Sequence, residues 1–208
     1  MQNIKKKAVL LDCDEVLLNH LNGFKKYVQK YYDIETKGEP MQYNLQDWLQ
    51  CDGERVMELL KNFNFYSYEF GLLEPMDGED TIKYMQRLRF ENPDVAFIVV
   101  TKSGTFGHGE VLRKVNLHNV FGDIFDDIII LENYQSKRNT YLKLMQQYDI
   151  IAVVDDHLDN IHTAQKLGLD TVVYQCSHNI SEKDNDNYLF VECWIQMYYE
   201  LNKLIKGV

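Results

Sequence analysis

No stretch of this 208-residue sequence approaches the roughly 18–20 consecutive apolar residues that a membrane-spanning helix needs, so no membrane partner is expected. CxxC pairs are lacking too, because Cys13, Cys51, Cys176 and Cys193 are widely scattered. That spacing speaks against a zinc knuckle or a disulfide scaffold and fits a reducing cytoplasm. Basic charge is scarce: 22 Lys and Arg stand against 32 Asp and Glu, for a net charge of −10. A protein that grips a polyanion normally carries a basic face, so no nucleic-acid polymer is expected as partner. A small phosphorylated metabolite stays open as a ligand, since a divalent cation can reverse the field locally. Internal repeats and low-complexity tracts are absent. Met1–Lys7 resembles the charged start of a signal peptide, but Asp12 ends the apolar run Ala8–Leu11 far short of a signal core. The expected location is cytoplasmic.

What the sequence does contain is enough apolar material, 45%, for one hydrophobic core with room for a modest insertion. Short β-branched runs at Ala8–Leu11, Val95–Val100, Ile128–Leu131, Ile151–Val154 and Thr171–Tyr174 read as strands buried on both faces. Helical spacing lies between them, over Thr81–Phe90, Thr140–Tyr148 and Ile161–Leu167, the last followed by Gly168 as a C-cap. Strand alternating with helix predicts an α/β doubly wound parallel sheet, which binds ligands at the carboxyl ends of its strands. From Leu18 to Asp77 the alternation stops. Asn22–Tyr32 and Gly53–Lys61 read as helices around a turn at Gly38-Glu39-Pro40, and Pro75 and Gly78 mark the return. The expected domains are therefore a core of residues 1–17 and 78–208 with an inserted helical cap, residues 18–77. Eleven of the 26 aromatic residues fall in this insertion, as its own core or as a stacking surface for substrate. Ser181–Asn187 reads as an exposed loop and Tyr188–Ile205 as a C-terminal helix.

Acidic residues gather at the strand ends. Asp12 and Asp14 follow the first strand, and positions i and i+2 of an extended segment face one side. Two such charges repel and lose hydration unless a cation lies between them, and oxygen donors favour magnesium. A solvated turn with incidental acids is the alternative. The second strand runs into Thr101-Lys102-Ser103-Gly104, whose hydroxyl and backbone amides could cradle an anion. The fourth runs into Asp155-Asp156-His157-Leu158-Asp159-Asn160, where Asp159 fits as an N-cap but Asp155 and Asp156 remain unexplained. Lys137 starts the preceding helix; a lysine there is commonly a surface residue, but a transferring phosphoryl group needs a cation near its oxygens. The six histidines show no metal-ligand spacing; His157 lies within the last acidic motif, where it reads as a surface residue or as a neighbour of the metal.

The order Asp-x-Asp, Thr, Lys, Asp-Asp resembles the four-motif pattern of the haloacid dehalogenase-like hydrolases over nearly the whole chain. By that resemblance Asp12 is the nucleophile that forms an aspartyl-phosphate, and Asp14 is the acid and base. Thr101 and Lys137 bind phosphoryl oxygens, with Lys102 beside them. Asp12, Asp14, Asp156 and Asp155 hold Mg2+. A carboxylate at position 14 favours phosphatases and phosphomutases over dehalogenases, since an alkoxide leaving group needs a proton. An insertion directly after the first motif is similar to the helical caps of 5′(3′)-deoxyribonucleotidase-like phosphatases, which implies Phe24, Tyr27, Tyr43 and Trp48 as substrate contacts. Two departures stand out. Glu15 occupies the place where the family usually has Gly, which implies strain of roughly 1 kcal/mol or more if φ is positive. Asn160 stands where a second acid is common, and Lys143 is the alternative motif lysine. The implied function is hydrolysis of a small phosphomonoester, with a nucleoside monophosphate as the favoured class. A phosphomutase, or a non-catalytic binding module of the same fold, is the alternative.

Overall fold

The computed structural model describes residues 5–207. Six parallel strands form one sheet in the order β3-β2-β1-β4-β5-β6: β1 Lys6–Leu11, β2 Ala96–Thr101, β3 Asp127–Ile130, β4 Tyr148–Asp155, β5 Thr171–Tyr174 and β6 Phe190–Val191. Alternate side chains of the strands enter two separate apolar clusters. Ala8, Leu10, Ala96, Ile98 and Val153 pack with Tyr141 and Leu144 of α6 (Arg138–Gln147) and Ala164 of α7 (Leu158–Gln165). Val9, Leu11, Phe97, Val99, Val154 and Val172 pack on the opposite face, under α4 (Glu79–Glu91), α5 (Gly109–Phe121) and α8 (Trp194–Lys206). Period-2 side chains that are apolar at every position require exactly such cover on both faces, as the continuous β-branched runs predict.

The strand runs foreseen from sequence recur within a few residues, and Thr171–Tyr174 recurs unchanged. Two stretches differ. The helix α5 was not foreseen, because its buried face mixes Leu117 and Phe121 with Arg113 and Asn116 and so lacks a clean apolar stripe. The C-terminal stretch is not one helix from Tyr188. Phe190–Val191 adds an edge strand, with the Val173 and Gln175 amides donating to the Leu189 and Val191 carbonyls, and α8 begins only at Trp194.

Between β1 and α4 the chain makes α1 (His20–Tyr32), α2 (Gln46–Leu49), α3 (Gly53–Tyr66) and a 3-10 turn, Tyr68–Leu72. Local signals start the two long helices: the Asn19 side chain accepts from the Asn22 amide at 3.0 Å, and Asp52 from the Arg55 amide at 2.8 Å. The apolar faces of these helices meet in an aromatic cluster in which Phe63 lies 5.5 Å from Phe24, 5.0 Å from Tyr27 and 5.7 Å from Phe70. This cluster is continuous with the apolar layer on the adjoining sheet face. The return to the sheet is anchored by Asp77, whose Oδ2 accepts from the Tyr174 hydroxyl at 2.6 Å and the Trp194 amide at 2.7 Å. Removing the fully buried Phe63 ring is expected to cost about 3–5 kcal/mol of stability. Because the cluster and sheet layer are continuous, urea denaturation of Phe63→Ala should show one transition at lower midpoint, the same by fluorescence and circular dichroism. Two separate transitions would show that the inserted helices fold independently.

Candidate active site

In a parallel sheet that winds outward both ways, the crevice opens where neighbouring strands lead in opposite directions. Here those strands are β1 and β4, paired through Leu11 and Val154. The chain leaves both at the same level: the Asp12 amide donates to the Val154 carbonyl at 2.9 Å, and Asp155 and Asp156 follow directly. Carboxylate oxygens of Asp12, Asp155 and Asp156 consequently lie within 4.8 Å of one another. Lys137, 1% exposed just before α6, reaches between them, with Nζ 2.9 Å from Asp12 Oδ1 and 2.7 Å from Asp155 Oδ2. Lys143 is exposed on the same helix and takes no part.

The electrostatics follow from burial. Desolvation, then the charge of Asp155, pushes the Asp12 carboxyl well above the usual range; Lys137 opposes this, and Asp156 and Asp14 add to it. Burial by itself would discharge Lys137, but Asp12 and Asp155 hold its pKa above the ordinary lysine value. Asp155 is fully engaged: Oδ2 accepts from Lys137, and Oδ1 accepts from the His157 amide at 2.9 Å and Asn160 Nδ2 at 3.0 Å. Asn160, read from sequence against a second acid, thus serves here as a donor to the first. Asp156 is turned the other way, its Oδ2 2.8 Å from His178 Nε2. Asp14 pairs with Nη2 of Arg113, a wholly buried guanidinium from α5 that also donates to Cys13 Sγ at 3.3 Å and lies 4.3 Å from the Phe70 ring centre.

Thr101 ends β2, fully buried, one strand from Asp12. Its Oγ1 and the buried Ser103 Oγ have no hydrogen-bond partner among the described residues. A buried hydroxyl without a partner costs about 1–3 kcal/mol, so two at the end of one strand mark a place suited to a polar ligand. Lys102 between them is half-buried.

The four aromatic candidates divide. The rings of Phe24 and Tyr27 fill the inserted helices' own core, 0% and 7% exposed. Trp48 is also buried, its Nε1 donating to the Gly38 carbonyl at 2.8 Å, but it lines a cavity of about 370 Å³ with Glu15, Asn19, Lys25, Gln175 and Ser177. Tyr43 reaches the acids, its hydroxyl donating to the Asp156 carbonyl at 2.8 Å and its ring stacked on His157 at 3.8 Å. His157 is therefore no free surface residue. It also takes the cap position expected of Asp159, its Nδ1 accepting from the Asp159 amide at 3.3 Å. The sequence pattern gives no sign of Arg113, places Ser103 only within the run after the second strand, and offers no ligand spacing for Cys176 and His178. The last two follow β5, and the rule that drew attention to the other strand ends applies to them equally.

Glu15 adopts φ 57°, a left-handed conformation that costs a non-glycine residue roughly 1–2 kcal/mol. Its buried Oε1 accepts from the Leu21 amide at 2.8 Å. Burial, with Asp156 and Asp14 nearby, pushes the carboxyl up to about 8, against the amide bond that favours the charged form. A folded-state pKa above the ordinary 4.5 means that folding favours neutral Glu15. That stability is complete at low pH and is lost as pH rises from about 4.5 to about 8. In EDTA, Glu15→Gln should thus gain on wild type by up to about 1.4 kcal/mol per pH unit across that window, read from urea midpoints. Parallel pH profiles would contradict it.

No family model matches the sequence. An uncharacterised 32.4 kDa protein of Enterobacteria phage T4 is 25% identical over 188 residues, spanning 86% of this chain and 63% of that protein. The chain thus spans less than two thirds of that relative's length. Among solved structures, a haloacid dehalogenase-like hydrolase from Streptococcus pneumoniae superposes with a TM-score of 0.63 at 12% identity, over 97% of this chain and 100% of the other. The D,D-heptose 1,7-bisphosphate phosphatase of B. bronchiseptica, solved with magnesium and phosphate, gives 0.55 at 13% identity, over 95% and 98%. The chain has the fold of the haloacid dehalogenase-like hydrolases.

Proposed function

We propose that this chain is a magnesium-dependent phosphatase that hydrolyses a small phosphomonoester through an aspartyl-phosphate on Asp12. The observation that carries this reading is Asp12 held by buried Lys137 at the sheet's switch point, with Asp155 and Asp156 within 4.8 Å. Four carboxylates gather here against two buried cations, Lys137 paired with Asp12 and Asp155 and Arg113 paired with Asp14, while Asp156 meets only His178. Such an excess of hard oxygen donors fits a magnesium ion, with Asp12, Asp156 and the Asp14 carbonyl as its holders and Asp155 beside them. When bound, the ion supplies positive charge that screens an anionic phosphate from the attacking carboxylate.

The protein groups do the rest. Asp12 Oδ attacks phosphorus as the ester P–O bond breaks, and the leaving alkoxide takes a proton from Asp14. Asp14 next accepts a proton from water, whose oxygen attacks phosphorus and frees Asp12 and inorganic phosphate. Lys137, Thr101, Lys102 and Ser103 donate to the phosphoryl oxygens. Arg113 orients Asp14. Residues 18–77 act as a cap over this site, and the leaving group lies toward the cavity bordered by Glu15 and Trp48. A nucleoside monophosphate is the favoured substrate class, with Tyr43 and Trp48 as its aromatic contacts. A phosphomutase would use the same Asp12 and Asp14 and is separated by product analysis.

Phosphate release from a panel of phosphomonoesters, weighted toward nucleotides, is expected with magnesium and not with EDTA. Asp12→Asn should abolish it, and Thr101→Val should lower kcat by about 100-fold through loss of one donor. Metal-independent turnover, or full activity in Asp12→Asn, would sink the reading.

A further inference from the structure

Beyond β5 the chain turns back on Asp156 as Cys176-Ser177-His178-Asn179. One ligand atom each of Asp156, Cys176 and His178 lies within 4.8 Å of the others. All three side chains are buried, with Asp156 7% exposed, Cys176 9% and the His178 side chain 4%. Their positions are secured from outside. Asn179 Oδ1 accepts from the Cys176 amide at 2.8 Å, and its Nδ2 donates to the Asp156 carbonyl at 2.8 Å and the Tyr174 carbonyl at 2.9 Å. The Tyr43 ring lies 4.4 Å from the His178 ring. Ligands held by such outer contacts bind metal more tightly than loose ones.

The donor set differs in kind from that around Asp12. A thiol sulfur, an imidazole nitrogen and one carboxylate oxygen suit zinc or cobalt, whereas magnesium prefers oxygen alone. Three protein ligands leave a fourth tetrahedral position for water. The plain alternative is that His178 only orients Asp156 through their 2.8 Å hydrogen bond, and that Cys176 only packs and donates its thiol to the Glu15 carbonyl at 3.7 Å, a bond that metal uptake would break.

We infer that Asp156, Cys176 and His178 form a second metal site, for a thiophilic divalent cation of the zinc class, which shares Asp156 with the magnesium position. Zinc therefore opposes magnesium. That antagonism rests on the reading of Asp12 and its neighbours as a magnesium site, while zinc binding itself does not. On uptake the Cys176 S–H bond breaks, its proton passes to solvent, and sulfur donates an electron pair to the cation; no group changes oxidation state. His178 Nε2 and Asp156 Oδ2 give up their mutual hydrogen bond for the cation, and the proton that Nε2 carries in that bond is released to solvent while the ring takes the Nδ1–H tautomer, so that Nε2 offers its lone pair. Bonds of about 2.0 Å at tetrahedral angles separate these two atoms by roughly 3.3 Å, a small opening of the present contact.

Cobalt(II) titrated into the magnesium-free protein should bind at one equivalent, with a thiolate-to-cobalt charge-transfer band and intense tetrahedral d–d bands that zinc abolishes. Cys176→Ser should lose the charge-transfer band, and His178→Gln should weaken zinc binding on the order of 100-fold, with circular dichroism confirming that both fold. A thiolate band that survives in Cys176→Ser would place the metal on another cysteine and overturn the site. Wild type that binds neither cobalt nor zinc stoichiometrically would overturn it too. For the shared ligand, one equivalent of zinc should weaken calorimetric magnesium binding at least about tenfold, and unchanged magnesium affinity would overturn the sharing. A protein that takes zinc through Cys176 yet binds no magnesium and releases no phosphate would instead refute the proposed function and leave this site standing.

Discussion

Asp12, Asp155 and Asp156 repel one another at the sheet edge, and the buried ammonium of Lys137 counters that repulsion through Asp12 and Asp155. Moving these groups out of water is expensive, and the triad persists only because neighbouring bonds hold each member in place. The sheet contributes most: pairing of β1 with β4 delivers the acids to one edge. The start of α6 brings Lys137 up between them, and the start of α7 supplies the His157 amide and Asn160 to Asp155. Two amide-type donors and one ammonium thus satisfy Asp155, while Asp12 and Asp156 keep capacity for ligands.

A second line of contacts joins the inserted helices to the same edge. Phe70 packs in the aromatic cluster of α1 and α3 and lies against the Arg113 guanidinium, which in turn pairs with Asp14. A cation on an aromatic face gains about 0.5–2 kcal/mol, more where water is excluded. Asp14 is therefore tied to the packing of the insertion as well as to the sheet, so displacement of these helices would be felt at its carboxylate. Glu15 ties the two regions again, through its bond to the first turn of α1. Its left-handed backbone and buried acid break local rules of stability, and such violations gather where function requires a fixed geometry.

Much of this was legible in the chain. Continuous β-branched runs have one stable arrangement when they alternate with helices, so the parallel α/β sheet and its five main strands could be read directly. The acidic strand ends were equally visible, because paired carboxylates after a buried strand have no packing reason to exist. Short edge pairing such as Phe190–Val191 was hidden, since two residues carry no period. Helix α5 was hidden because Arg113 and Asn116 interrupt its apolar face.

Local pattern by itself determined which residues form the sheet and which acids stand at its edge, since period and strand-end position are properties of neighbours along the chain. Tertiary structure alone decided the partners. It chose Lys137 over Lys143, matched Arg113 to Asp14 across nearly a hundred residues, and sent Phe24 and Tyr27 into a core while leaving Tyr43 at the acids. It also brought Cys176 and His178 to Asp156. The reason is physical: the energy of a buried charge or ring depends on what surrounds it in space, and those surroundings come from segments that share no local pattern.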